Sequence, residues 1–208
     1  MDIKANILKR FIIYMAVLTF VMFTVWAFVK SFKNRPPGDY HTEVCDNRLK
    51  DKEYEKALKA ANEALEKTPN HRGAIMCKAL IFISKKEYSK ANDELNYLIS
   101  FLENNIDDDD KTGIGTLAAA YANRGIIKDR EKKYEEALQD YIKALGIDHV
   151  AVAGPGLGTI ILNYKFKSSS VKERALYLNE QLQLPKEERV LSIKEVDEGQ
   201  VMHKPGKL

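Results

Sequence analysis

The segment Glu53-Tyr54-Glu55-Lys56-Ala57-Leu58 returns twice, as Glu87-Tyr88-Ser89-Lys90-Ala91-Asn92 and as Lys133-Tyr134-Glu135-Glu136-Ala137-Leu138. The first two copies start 34 residues apart, and the third starts 46 further on, the same period with a 12-residue insertion. A fixed period of this size constrains the fold strongly. One such unit cannot bury its apolar face alone and must stack on its neighbours, which makes a helical repeat array. Apolar residues spaced three and four apart between Pro37 and His149 agree with an all-α fold. Arrays of this kind are mostly protein-binding scaffolds.

The N-terminus is a different material. Phe11 to Val29 reads FIIYMAVLTFVMFTVWAFV, nineteen residues without a charge, and at about 1.5 Å each they reach roughly 28 Å, close to bilayer hydrocarbon thickness. Lys9 and Arg10 close one end; Lys30, Lys33 and Arg35 close the other. Tyr14 and Trp26 stand near the ends, where amphipathic rings prefer the interface. A buried core helix would be shorter or carry a polar stripe. A cleaved signal peptide would have a shorter apolar region and a small-residue site, whereas the sequence here reads Val29-Lys30-Ser31-Phe32. The expectation is an uncleaved single transmembrane anchor over residues 1–35, touching lipid through residues 11–29. Basic residues tie across the span, so charge alone does not orient it. A very short basic N-tail commonly stays in the cytoplasm. That puts the rest of the chain outside, with a bacterial inner membrane as the expected setting. Pro36-Pro37-Gly38 then reads as a short stiff linker that keeps the next domain close to the membrane.

The clearest unit runs from Ala118 to His149. It resembles the tetratricopeptide repeat, a pair of antiparallel helices, through Tyr121 and Gly125 in the first helix, Tyr134 before the second, and Ala137, Tyr141 and Ala144 along it. Gly125 and Ala137 are small where the two helices cross, and Tyr121 and Tyr141 fill the space beside the crossing. The second unit, roughly Arg72 to Asn105, has Ala79 in the small slot and Phe82 in the aromatic one, followed by Tyr88, Ala91, Leu95 and Leu98. The first unit, roughly Gly38 to Asn70, has Tyr54, Ala57, Ala61, Ala64 and Pro69 in place. Its first half departs, with Cys45 in the small slot and Arg48 in the aromatic one. The resemblance covers about half the chain. It implies a superhelix of about three helix pairs over residues 39–149 whose first helices line a concave groove. No single ligand follows from it.

Carried onto this sequence, the groove would consist of Asp39, Thr42, Asp46 and Leu49 in unit one, Met76, Leu80 and Ile83 in unit two, and Ala122, Ile126 and Asp129 in unit three. Its centre is apolar and its ends polar. Two occupants remain open, an external peptide and the chain's own C-terminal tail. Chaperone-binding members of the family grip a peptide carboxylate with Lys, Asn and Arg. Asn123 matches one such slot, but the basic set is missing, so that activity does not carry over.

The insertion holds Asp107-Asp108-Asp109-Asp110, and Gly113 is sixth from Asp108. The twelfth residue is Ala119, not Glu, so an EF-hand calcium loop is excluded. A solvated acidic loop capping the next helix is expected. Gly154-Pro155-Gly156-Leu157-Gly158 lacks the spacing of a dinucleotide-binding turn and reads as a loop opening a helix from Leu157 to about Phe166. Ser170 with Glu173 makes a capping box for a helix to about Leu184, with Ala175, Leu176, Leu178 and Leu182 on its apolar face. Residues 150–184 are thus expected to cap the array. Residues 185–208 form an extended tail whose Val190, Leu191, Ile193 and Val196 lie along the groove or against a partner, or else a loosely ordered terminus.

No catalytic constellation is visible. His41, His71, His149 and His203 have no metal-ligand spacing, and Cys45 and Cys77 fall on the first helices of adjacent units, where most cysteines are small apolar fillers. Lys+Arg (33) nearly balances Asp+Glu (30) with the signs interspersed, which argues against a nucleic-acid binder. The sequence therefore points to a non-enzymatic, cofactor-free, membrane-anchored scaffold. It would dock on, assemble or stabilise a membrane complex, as an accessory subunit of it, with no small-molecule substrate. A periplasmic factor holding extended client chains in the groove is the alternative.

Overall fold

A computed structural model describes residues 5–33, 36–152, 170–193, 200 and 202–204. Eight helices appear among them: α1 (Ala5–Lys33), α2 (Asp39–Lys50), α3 (Tyr54–Lys67), α4 (Arg72–Ser84), α5 (Tyr88–Asn105), α6 (Lys111–Arg130), α7 (Tyr134–Asp148) and α8 (Val171–Gln183). No strand occurs among the described residues. The helix expected over 157–166 lies outside them.

Helices α2/α3, α4/α5 and α6/α7 are three antiparallel pairs, and α8 packs on α7. The first helices touch in series, α2 on α4 and α4 on α6, while the second helices share no comparable contact among the described residues. That asymmetry makes the face of the first helices the inner one. It is the expected all-α solenoid with a helical cap.

The three intra-pair turns are built alike. Each first helix ends in a residue with αR geometry or close to it (Asp51, Lys85, Glu131), then a lysine in the left-handed region: Lys52, Lys86 and Lys132, at φ 60°, 61° and 63°. In the first pair Lys52 donates its N–H to Leu49 and Glu53 to Arg48; Lys86 and Glu87 do the same to Ile83 and Phe82, and Lys132 and Lys133 to Asp129 and Lys128. These are the two closing bonds of a Schellman motif, which satisfy carbonyls orphaned by the helix end. The next residue after each is the recurring tyrosine.

The core sits between α4 and α6. Residues Ala74 to Cys77 and Ala79 to Ile83 of α4 are all buried, because α4 is covered by α2, α3, α5 and α6 at once. α3, at the outer end, buries only the alanine stripe Ala57, Ala60, Ala61 and Ala64. α6 begins at Asp110, whose side chain accepts from the Gly113 N–H at 2.8 Å and pairs with Arg72. The Arg72 guanidinium, then the Gly113 N–H, hold the Asp110 carboxyl below its ordinary range. Thus the last aspartate of the acidic run is a helix cap tied to α4. α8 carries the Ser170–Glu173 capping box in both directions.

α1 contains a 24-residue segment, Ile7–Lys30, long and apolar enough by composition to cross a membrane and unburied by the rest of the chain. The domain starts soon after it. Gly38 caps α2 at φ 96°, where a Cβ would stand 2.9 Å from the His71 ring, and Thr68 donates to the Pro37 carbonyl at 2.7 Å. The linker therefore folds onto the first helix pair.

The cysteines are not separate fillers. Cys45 of α2 and Cys77 of α4 form a disulfide with Cα atoms 6.5 Å apart, both fully buried. The register of α2 against α4 brings Cys45, in the small slot of unit one, onto Cys77, two positions before the Ala79 slot of unit two, and both pack with the alanines of α3.

Candidate functional site

The inner face is the candidate site, and it is occupied by the chain's own tail. Asn123, at the middle of α6 and fully buried, holds residue 203 by its backbone: the amide Nδ2 donates to the His203 carbonyl at 2.7 Å, and Oδ1 accepts the His203 N–H at 2.8 Å. A paired bond of this kind is the one an extended strand makes, and it reads main chain rather than side chain. Either side of His203 the tail is fixed by its side chains. Met202 packs on the core beside Ser84, at the end of α4. Lys204 pairs with Asp46 of α2. Upstream, Gln200 donates to Asp129 at 2.7 Å, near the end of α6. The tail thus crosses from α6 towards α2 over all three first helices.

Below it lies a buried polar knot. Arg174 of α8 grips Asp129 with two bonds of 2.7 Å, and both side chains are almost fully buried. Arg174 also donates to the Leu191 carbonyl at 2.9 Å, which brings the chain after α8 onto the same place. Tyr141 donates to Asp129 at 3.2 Å. Burial, then the Asp129 carboxylate, push the Tyr141 phenol well above its usual range. A void of about 10 Å³ remains, lined in part by Ile126, Arg174, Gln200 and His203. Burial holds the His203 imidazole below its ordinary 6.5, at about 4.

The residues expected to line an open groove are covered. Met76, Leu80, Ile83, Ala122, Ile126 and Asp129 are all buried, and Leu49 is half-buried against the core. Thr42 is buried and donates to the Gly38 carbonyl, Asp39 pairs with His71, and Asp46 holds Lys204. Among the residues expected at helix crossings, Ala57, Ala79, Ala91, Tyr121, Ala137, Tyr141 and Ala144 are buried, and Tyr54, Tyr88 and Tyr134 are half-buried at the starts of the second helices. Gly125 lies against the Tyr141 ring. Tyr121 donates to Glu103 of α5 at 2.5 Å; its burial and that carboxylate raise its phenol to about 12.

Sequence reasoning missed Arg174, Gln200 and Lys204. Arg174 was findable: Val171, Arg174, Ala175 and Leu178 are the buried positions of α8, spaced as one helical stripe, so a cation interrupts an apolar face and needs a buried anion. Leu176, expected on that face, is instead 54% exposed. Of the expected tail contacts, Leu191 packs on the core, Val190 is exposed, and Val196 lies outside the described residues.

Among the described residues Cys45, Asp46 and Cys77 offer ligand atoms within 4.8 Å of one another. The two sulfurs are consumed by the disulfide and Asp46 by Lys204, so this cluster holds no metal as it stands.

No family model matches the sequence, and no curated protein matches it. Among solved structures, the chain is similar to the first tetratricopeptide repeat domain of Spaghetti (RPAP3) bound to an HSP90 peptide, SRMEEVD. The likeness has 15% identity and a TM-score of 0.49, covering 71% of this chain and 94% of that one.

Proposed function

We propose that this chain is a membrane-anchored interaction scaffold whose concave face docks extended segments of membrane-complex subunits. The observation that carries it is the Asn123 grip on the His203 main chain: the inner face already holds an extended segment by its backbone. On this reading residues 1–35 anchor the protein, 36–38 link, 39–149 form the repeats, 150–184 cap them, and 185–208 are a tail within reach of the groove. The apolar length of Ile7–Lys30 supports the anchor. The Cys45–Cys77 disulfide supports a domain outside the reducing cytoplasm, as across a bacterial inner membrane. A scaffold held at the bilayer raises the local concentration of whatever it binds.

Pulldown after mild detergent extraction tests the reading. A stable, stoichiometric set of membrane subunits is expected. Many weakly held unfolded clients would favour a holding factor instead, and membrane association that survives deletion of residues 7–30 would sink the anchor. Accessibility of a cysteine inserted after Arg35 in intact cells reports the orientation.

A further inference from the structure

The docked tail indicates what kind of segment the concave face selects. Asn123 asks only for an extended main chain. The flanking subsites ask for more. Met202 supplies an apolar side chain to the core beside Ser84, and two positions later Lys204 supplies a cation to Asp46, whose side chain is 23% exposed. At the other end Asp129 is already neutralised by Arg174 and takes an amide hydrogen from Gln200. The charged acceptors that the tail's side chains meet, Asp46 and Asp129, are both carboxylates, so they favour donors and cations and oppose an acidic occupant. The disulfide joins α2, which carries Asp46, to α4, which carries Ser84. It therefore fixes the distance between the cationic and apolar subsites.

We infer that the concave face is a receptor for an extended segment of a partner protein with an apolar side chain followed two positions later by Lys or Arg, and that Gln200 and residues 202–204 occupy it in cis as the competing ligand. This rests on reading the concave face as the docking site. A tethered tail acts at an effective concentration in the millimolar range, so an external segment binds only when the tail is weakened or outcompeted.

The probes are two fluorescein-labelled synthetic peptides of residues 196–208, one native and one with Lys204→Glu, measured by anisotropy against the full chain in detergent micelles. Three chains are compared: the native one, Lys204→Glu, which repels its own tail from Asp46, and Asp46→Lys, which repels the native tail. The Lys204→Glu chain should bind the native peptide at least about tenfold more tightly than the acidic one. The Asp46→Lys chain should reverse that preference, and the native chain should bind the native peptide about tenfold or more weakly than the Lys204→Glu chain does. Equal binding of both peptides, or no reversal, overturns the charge selection while leaving a docking face. Uptake by the native chain as tight as by Lys204→Glu removes the tail as competitor. No uptake by any chain, with thermal melts matching the native one, overturns the docking face itself and the inference with it. Should a variant melt early, Lys204→Gln or Asp46→Asn replaces it, with the preference expected to vanish rather than reverse.

Discussion

A Cβ added to Gly125 would stand 2.7 Å from both Cδ1 and Cε1 of Tyr141 and 3.3 Å from the Ala137 carbonyl. The ring cannot yield freely, because Tyr141 is 1% exposed and its hydroxyl is held by Asp129 and Gln200. Gly125→Ala therefore overpacks the α6–α7 crossing and should cost about 1–3 kcal/mol despite the better helix propensity of alanine. Urea unfolding followed by helical circular dichroism checks it; a neutral or stabilising result would mean the crossing can open.

Arg174 and Asp129 should behave as a unit. Arg174→Met leaves a buried carboxylate uncompensated and is expected to lose about 3–5 kcal/mol. The double variant Arg174→Met with Asp129→Leu should recover most of that loss, because both desolvation costs disappear together. A double-mutant cycle by denaturant unfolding gives the coupling. Additive losses would mean the pair is worth little.

How much of this was legible differs by the kind of contact. The helix pairs were, because Tyr-x-x-Ala recurs after a turn with one backbone geometry, and a period survives in sequence even where single residues drift. The pairing of Asp129 with Arg174 was not read, because Asp129 at a helix end reads as a solvated charge and its partner lies 45 residues on. The docking of the tail was least readable of all. Asn123 binds the N–H and C=O of His203, groups that every residue except proline carries, so the contact leaves no signature in the tail's own sequence. The disulfide needed the register of α2 against α4, which repeat spacing suggests but does not fix.

The three turn lysines offer a stabilising prediction. Each sits in the left-handed region at nearly the same φ, where a Cβ costs about 1–2 kcal/mol and glycine costs nothing. Glycine also makes the unfolded chain more flexible, which offsets up to about 1 kcal/mol. Lys86→Gly, in the middle pair, should therefore stabilise by up to about 1 kcal/mol, raising the midpoint of thermal unfolding by a few degrees. A drop in midpoint would show that the lysine stem contributes packing that outweighs the strain.

The disulfide closes 32 residues between α2 and α4. Loop-closure entropy of that length corresponds to about 3–4 kcal/mol. Reduction should lower the denaturant midpoint accordingly, and more for the first pair than for α6–α7, since the bond ties only the outer end of the array. Hydrogen exchange under reducing and oxidising conditions separates the two regions. Equal loss of protection everywhere would mean the array unfolds as one cooperative block.

Tail docking should weaken in acid. His203 is buried with its pKa lowered from 6.5 to about 4, so the docked state binds fewer protons than the released one between those values. Docking strength is then fully present above about pH 6.5 and falls as pH drops, by up to about tenfold per pH unit, levelling off below about 4. Arg174, a permanent cation lining the same void, opposes a proton on His203; Asp129 is committed to Arg174 and does not offset it. Uptake by the native chain of a labelled tail peptide carrying His203→Gln, whose own docking does not titrate, measured from pH 7.5 to 5, should therefore rise as the tethered tail lets go. The same titration on a His203→Gln chain, read with a peptide carrying the same change, should be flat above pH 5. A profile that keeps its slope there would assign the dependence to another group.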